Sequence, residues 1–374
     1  RRYAPAYEAL LCGRPGPMIE AFLWIDSKEK AEVVPFVLNY NQRYLESRIG
    51  ERVTSWLDGF EAVILKDRQA TVTSKCQADA LVNVVGLPNI HAVHVFQDKD
   101  TGEQLMERLG LFWDRLEHDP VGRWLLNHDG WTIRKVGESK SELLLEFWEA
   151  GQLIGKSSYL IVSAGAREFG AGIGPNIVIY DEYDLYPDLE MVARINAAKG
   201  PGCRTYKPST PRGMKQLHTD YMAAKEGRSG AIAIALYCFA NPANRMEEGE
   251  WQAPPAYRGY FELEAEHLRI VESEEWRERS VFRESEGDAR SFLRWWEWKR
   301  QELRQILEAQ GIRDETRVLA EMEAEHCTDD KSCWLNLGKT PFNLEVLRDY
   351  DGWSKKAKLR RDEPLAPGIW VKVW

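Results

Sequence analysis

Asp181 and Glu182 stand at the end of a short apolar run, Ile177-Val178-Ile179-Tyr180. A run so short and so β-branched suits a strand buried on both faces of a parallel sheet. Open α/β sheets place their ligands at the carboxyl ends of such strands. In a nucleotide-hydrolysing site the first acid would hold Mg²⁺, commonly through water, and the second would orient or deprotonate the attacking water. The competing reading is a strand that runs into an ordinary acidic turn. A phosphate cradle upstream and a sensor downstream would separate the two.

The cradle candidate follows a second buried-strand run, Ala62–Leu65. Lys66-Asp67-Arg68-Gln69-Ala70-Thr71-Val72-Thr73 then leads into helix-compatible residues 75–85. A standard phosphate loop, GxxxxGK[ST], would place its Mg²⁺-binding hydroxyl where Thr73 falls, with Ser74 as neighbour and rival. No Lys precedes that hydroxyl, and both glycines are missing. The cations, Lys66 and Arg68, enter at the start of the loop instead. A phosphate needs backbone N–H groups at a helix N-terminus and one or two cations, which can come from either end. On these residues alone a plain strand-loop-helix competes. Downstream, residues 205–213 (TYKPSTPRG) form a strand and a Pro-flanked turn that carries Ser209 and Thr210.

The elements that would position these groups alternate along the chain. Residues 1–35 read as a helical lead-in, with 19–25 amphipathic and a turn at 33–36. Asn39 is a cap candidate for a helix beginning near Gln42. A strand at 91–97 precedes a helix over 98–116, whose Leu105, Leu109, Phe112 and Leu116 keep helical spacing. Strands are expected at 131–136, 143–148, 158–162 and 231–240, and helices around 190–198 and 217–224. Strands alternating with helices predict a mainly parallel sheet flanked by helices. After Asn241 the chain turns Pro-rich and polar, then charged and helical over 262–310. A basic run, 354–361, precedes a last short strand at 369–374.

Composition narrows the classes. The 374 residues carry a net charge of −9, with 44% hydrophobic and 29% charged residues, an ordinary globular balance. Any nucleic-acid contact must therefore come from local basic patches. No apolar stretch approaches the roughly 20 residues of a membrane helix. The opening RRYAPAYEAL, without an initiator Met or an apolar signal core, fits a trimmed start. The 6 cysteines include no CxxC pair, so reduced, intracellular thiols are expected and a zinc site is not. His91, His94, His218 and His267 show no metal spacing.

Residues 66–74, KDRQATVTS, resemble the deviant phosphate loop (Walker A) of the large terminase subunits of tailed bacteriophages, K-x-R-Q-x-G-x-[ST]. FLWIDSKEKAEVVPFVLNYNQR is similar to that family's adenine-binding lead-in, with Gln42 at the adenine-reading glutamine. HAVHVFQDKDTGEQLMERLGLFWDRL, NIVIYDEYDLYP and KPSTPRG resemble the strand-helix unit, the Walker B strand and the coupling motif, in the family's order. LRWWEWKRQELRQI and MEAEHCTDD are similar to the segment that joins ATPase to nuclease. The resemblance covers about residues 19–350. Thr71 departs from it, standing where the loop glycine belongs.

What the resemblance implies is an ASCE-type P-loop ATPase over residues 1–245, a small, mostly helical lid or linker over 246–350, and a basic linker with the start of a truncated nuclease domain over 351–374. It assigns catalysis to Glu182, Mg²⁺ to Thr73 and Asp181, and nucleotide contacts to Gln42, Lys66, Arg68, Gln69, Thr71 and Thr73. Ser209 and Thr210 would couple hydrolysis to movement. Arg167 would be a finger reaching a neighbour's γ-phosphate, with Arg204 and Arg212 as rivals. Asp184, by contrast, is read from the residues alone as a cap of the next turn. The cofactors are ATP and Mg²⁺. The expected function is translocation of double-stranded DNA into the procapsid, without nuclease activity in this chain. The expected partners are the portal protein on the procapsid, the small terminase subunit and further copies in a pentameric ring, in the host cytoplasm and away from membranes. The rivals are a cellular helicase or translocase and a nucleotide-free adaptor.

Overall fold

A computed structural model describes residues 4–27, 31–68, 70–97, 99–128, 130–139, 141–166, 174–246, 249–250, 270–279 and 286–334, with two short strand segments at 364–366 and 369–370. The chain opens with α1 (Ala4–Leu11), α2 (Gly16–Phe22), β1 (Trp24–Ser27), β2 (Glu32–Pro35) and α3 (Tyr40–Gly50). Then come β3 (Phe60–Lys66), α4 (Val72–Gly86), β4 (His91–Phe96), α5 (Lys99–His118) and α6 (Pro120–Leu126). A meander, β5 (Trp131–Glu138), β6 (Glu142–Glu149) and β7 (Gln152–Ser163), precedes β8 (Ile177–Tyr180), α7 (Glu190–Ala198), β9 (Arg204–Ser209), α8 (Gln216–Lys225) and β10 (Ile232–Leu236). Helices α9 (Glu274–Arg279), α10 (Glu286–Ala309) and α11 (Glu315–Glu325) follow.

One 8-stranded sheet has the order β10-β3-β9-β8-β4-β7-β6-β5. The pairs from β10 to β7 are parallel, while β7–β6 and β6–β5 are antiparallel. The loop strand β3 and the acid strand β8 are therefore not neighbours. β9, the strand with Ser209 at its end, lies between them.

Alternation assigns the strand residues to two cores. Ala62 and Ile64 of β3, Ala92 of β4 and Ile177 and Ile179 of β8 join the apolar cluster formed with α1–α6. Val63, Leu65, Val93, Val95, Val178 and Tyr180 face the opposite cluster, shared with α7, α8 and the aromatic residues of α9 and α10. Two covered faces explain why these strands are apolar throughout rather than alternating with polar residues. The helices expected as a lid thus share the second core, through Phe239, Trp276, Phe292, Trp295 and Trp296.

Several expectations shift. The lead-in helix stops at Phe22, and Trp24–Ser27 pairs with Glu32–Pro35 as a hairpin, so the expected turn at Val33-Val34 is strand. Two adjacent β-branched residues favour that outcome. The apolar run at 231–240 ends as a strand at Leu236, and Cys238–Ala240 forms a 3₁₀ turn. The basic run at 354–361 lies outside the described residues. None of the 6 cysteines is in a disulfide, and no described helix is long and apolar enough to cross a membrane.

Candidate nucleotide-hydrolysis site

Register and burial bring the loop and the acids together. Leu65 pairs with Ser209 and Leu236 with Lys66, so the ends of β3, β9 and β10 are level. Ile179 pairs with Tyr206, which brings the residues after β8 to the same edge. Helix α4 starts below that edge and is buried along its whole length except at Thr73. Its polar residues are accordingly partnered inside the fold: Lys75 with Asp79 and Glu46, Gln77 with the Leu105 carbonyl and Arg108, and Tyr206 with Asp79. A helix buried this completely is a firm base for the loop that precedes it.

Six of the expected residues converge. The Thr73 hydroxyl donates to Asp181 Oδ1 at 2.7 Å. Lys66 Nζ donates to Glu182 Oε1 at 2.7 Å. The other oxygen of Glu182 accepts from Ser209 Oγ at 3.4 Å, from the Thr210 N–H at 3.3 Å and from Thr210 Oγ1 at 3.3 Å. Lys66, Asp181, Ser209 and Thr210 are buried. Glu182 itself sits in a left-handed conformation, φ 50. A non-glycine residue there is strained by about 1–3 kcal/mol, and such strain gathers at functional sites.

One ammonium faces two carboxylates in this group. Burial, aided by the neighbouring Glu182 charge and opposed by Lys66, pushes the Asp181 carboxyl up to about 6. Burial acts in the same direction on Glu182, but the Lys66 ammonium and the Thr210 amide outweigh it and hold that carboxyl below its ordinary value. Burial opposes the charge on Lys66 as well, and Glu182 and Asp181 together overcome it and raise its pKa. Glu182 is therefore a poor base while Lys66 is paired to it.

The remaining expected contacts are placed differently. Arg68 Nη1 bonds Glu325 at 2.7 Å, at the end of α11, and Arg212 bonds the other oxygen of the same carboxylate at 2.7 Å. Gln42 is buried beside the loop, but its amide is engaged: Nε2 donates to the Thr71 carbonyl at 3.0 Å and hydroxyl at 3.1 Å, while Oε1 accepts from the Asn39 N–H at 3.0 Å. Reaching a base edge requires those bonds to exchange. Thr71 takes φ 52, the left-handed conformation of the missing glycine. Gln69 and Arg167 lie outside the described residues. Arg204 starts β9, and so lies at the opposite edge of the sheet, bonded to the Ser55 and Asp58 carbonyls; it is a structural anchor rather than a finger. Asp184 accepts from the Leu217 N–H at 2.8 Å, so it caps α8, 33 residues on, instead of its own turn.

Three participants escaped the sequence reading. Asp67, fully buried behind Lys66, bonds His326 Nδ1 at 2.7 Å and Asn244 Nδ2 at 3.2 Å. The Arg68 N–H donates to the Glu325 carbonyl and the Cys238 N–H to the Cys327 carbonyl, each at 3.0 Å. The end of α11 is thereby joined to the start of the loop. Arg108 of α5, half-buried, contributes a positive charge felt by Asp181. Adjacent Lys66-Asp67-Arg68 was the only available signal, since the partners lie far along the chain.

The donor set suits a small hard cation. A hydroxyl and a carboxylate in contact are the oxygen ligands that Mg²⁺ takes together with phosphate oxygens and water. Among the described residues no cluster of three or more His, Cys, Asp or Glu side chains would hold a metal by itself.

No family model matches the chain, and no curated protein matches it. Among solved structures, the chain is similar to a mutant ATPase domain of the Thermus phage P74-26 large terminase, with 15% identity over 66% of this chain and 92% of that one, at a TM-score of 0.43. It is also similar to the large terminase of bacteriophage HK97, with 16% identity over 70% of this chain and 50% of that one, at a TM-score of 0.45. The chain spans about half the length of the HK97 protein.

Proposed function

We propose that this chain is the ATP-hydrolysing motor of a phage large terminase, which drives double-stranded DNA into a procapsid. The observation that carries the chemistry is the convergence of Lys66, Thr73, Asp181, Glu182, Ser209 and Thr210 at the carboxyl ends of three neighbouring parallel strands. The first N–H groups of α4 have no intrahelical partner, and Thr71 supplies no side-chain cap, so they are free to meet phosphate oxygens. Thr73 and Asp181 are the residues that would hold Mg²⁺. That ion, when bound, neutralises charge on the phosphoryl oxygens.

The pairing of Lys66 with Glu182 sets the order of events. A triphosphate entering the loop competes with Glu182 for the Lys66 ammonium. Once Lys66 turns to phosphate, the Glu182 carboxylate regains basicity and can take a proton from the attacking water. Ser209 and Thr210, which hold the same carboxylate, register its movement and pass it along β9 to the rest of the sheet. Arg68 and Arg212 provide further cations once they leave Glu325. The finger, Arg167 in the sequence reading, would act in a ring of further copies. The portal protein, the small terminase subunit, the pentameric ring and a site of action in the host cytoplasm belong to this proposal.

The test is turnover of Mg-ATP by wild type and by Glu182→Ala. Turnover that survives the substitution rejects the mechanism, and absence of ATP binding by wild type favours an adaptor. Stimulation by portal and procapsid is expected for a packaging motor, whereas stimulation by DNA alone points to a cellular translocase.

A further inference from the structure

The left-handed backbone at Thr71 demands an explanation, because a β-branched residue is among the least suited to it. Glycine adopts this conformation without strain; Thr does so only if its surroundings hold it there. The bonds that do so come from the N-terminus of α3. Asn39 Nδ2 donates to Thr71 Oγ1 at 2.9 Å, and Gln42 Nε2 donates to both the hydroxyl and the carbonyl of Thr71. The hydroxyl in turn donates to the Ala70 carbonyl at 2.8 Å. Asn39 and Gln42 are themselves fixed by a reciprocal capping box, each side chain bonding the other's backbone N–H. The two amides therefore cannot swing away without uncapping α3.

We infer that Asn39 and Gln42 are positioning residues of the phosphate loop, whose side-chain amides hold Thr71 in the conformation that glycine would otherwise supply. The inference rests on the reading of residues 66–73 as a nucleoside-triphosphate loop. It gives the threonine hydroxyl a purpose: a glycine would relax the backbone but offer nothing for Asn39 to grip. It also ties the entry of α3 to the start of α4, so that whatever touches the lead-in is felt at the phosphates.

A double-mutant cycle tests the inference. Asn39→Ser keeps a capping oxygen for α3 but loses the amide donor to Thr71. Thr71→Gly removes the need for it. Wild type, both single variants and the double variant are compared by KM and kcat for Mg-ATP, by binding of a fluorescent ATP analogue, and by unfolding without nucleotide. In the Thr71 background, Asn39→Ser is expected to raise KM and the analogue's Kd roughly fivefold, the worth of about one hydrogen bond, with kcat within about twofold. In the Thr71→Gly background the same substitution is expected to change neither by more than about twofold. Equal losses in both backgrounds, or no loss in either, overturn the inference. If wild type binds no nucleotide, the functional reading fails instead. The unfolding cycle then decides on the brace: non-additive effects of the two substitutions support it and additive ones overturn it.

Discussion

Glu182→Gln separates the two roles assigned to the Lys66–Glu182 pair. The substitution keeps the shape and one hydrogen-bonding oxygen but removes the charge. Lys66 has a side chain only 5% exposed against 26% for Glu182, and the pair is separated by 2.7 Å. Coulomb attraction at that distance, with an effective dielectric of about 20, is bounded near 6 kcal/mol before desolvation is subtracted. A charge-assisted hydrogen bond contributes about 1.5–3 kcal/mol net, and that is the competition a γ-phosphate must overcome. Removing it should tighten binding of a slowly hydrolysed Mg-ATP analogue by roughly tenfold to a hundredfold. Turnover should fall by about 10²–10⁴, the usual contribution of a general base. The fold should lose about 1–3 kcal/mol, less than for a fully buried pair, because Glu182 is partly exposed and Asp181 still faces Lys66. Calorimetric titration, phosphate release and thermal unfolding read the three quantities. Tighter binding with lost turnover is the expected signature. Unchanged or weaker binding by a folded variant refutes the exchange of Lys66 between carboxylate and phosphate, and turnover within about tenfold of wild type refutes the base.

Three further outcomes follow from the same structure. His94 is fully buried on β4 with Nδ1 against the Tyr159 hydroxyl; burial, then the Arg108 charge, lowers its pKa from 6.5 to about 3. The unfolded chain therefore binds a proton that the folded one refuses: this contribution is fully present above about pH 6.5 and is lost as pH falls toward 3. His94→Gln should shrink the difference in denaturation free energy between pH 7 and 4.5 by roughly 2–3 kcal/mol, and an unchanged difference rejects the assignment. Asp67→Ala leaves His326 and Asn244 without their carboxylate and should cost about 2–4 kcal/mol in denaturant titration; a loss under about 1 kcal/mol would show that α11 is not held through it. Glu325→Gln frees Arg68, 64% exposed, and Arg212, 33% exposed. It should cost under about 1 kcal/mol of stability, yet raise affinity for the ATP analogue severalfold; an affinity that does not move rejects competition between Glu325 and phosphate.

What could be read from the sequence was what depends on neighbours along the chain. Lys66, Asp181 and Glu182 sit at the ends of apolar runs, and Thr73 opens the helix that follows one; a run that stops in polar residues shows both the strand and its functional edge. Asn39 announced a helix start near Gln42; the helix begins at Tyr40, and Gln42 is its partner in a capping box. The order of the strands could not be read the same way, because two-sided burial makes β3, β4 and β8 equally apolar whatever their neighbours. The roles of Asp184, Arg204, Arg68 and Glu325 were hidden for a related reason. Each is set by a partner tens or hundreds of residues away, and a lone charged side chain carries no mark of which element it will meet. The hairpin Trp24–Ser27 with Glu32–Pro35 was missed because four-residue strands offer too few positions for a period to show.

Thr71 and Glu182 are two of the 5 described non-glycine residues with positive φ, one immediately before α4 and the other just beyond the end of β8. Neither conformation is favourable in itself, so each must be maintained by bonds from a third element: α3 for Thr71, and Lys66 with Ser209 and Thr210 for Glu182. The two restraints differ in kind. Those on Thr71 come from neutral amides locked in a helix cap, which offer a phosphate no net charge to compete for. The principal restraint on Glu182 is a cation, and a phosphate competes for it directly. Nucleotide entry should therefore leave the Thr71 side of the site as it stands and release the Glu182 side, whose remaining bonds lead into β9. The asymmetry gives the site a fixed jaw and a moving one, and the moving jaw is attached to the residues assigned to coupling.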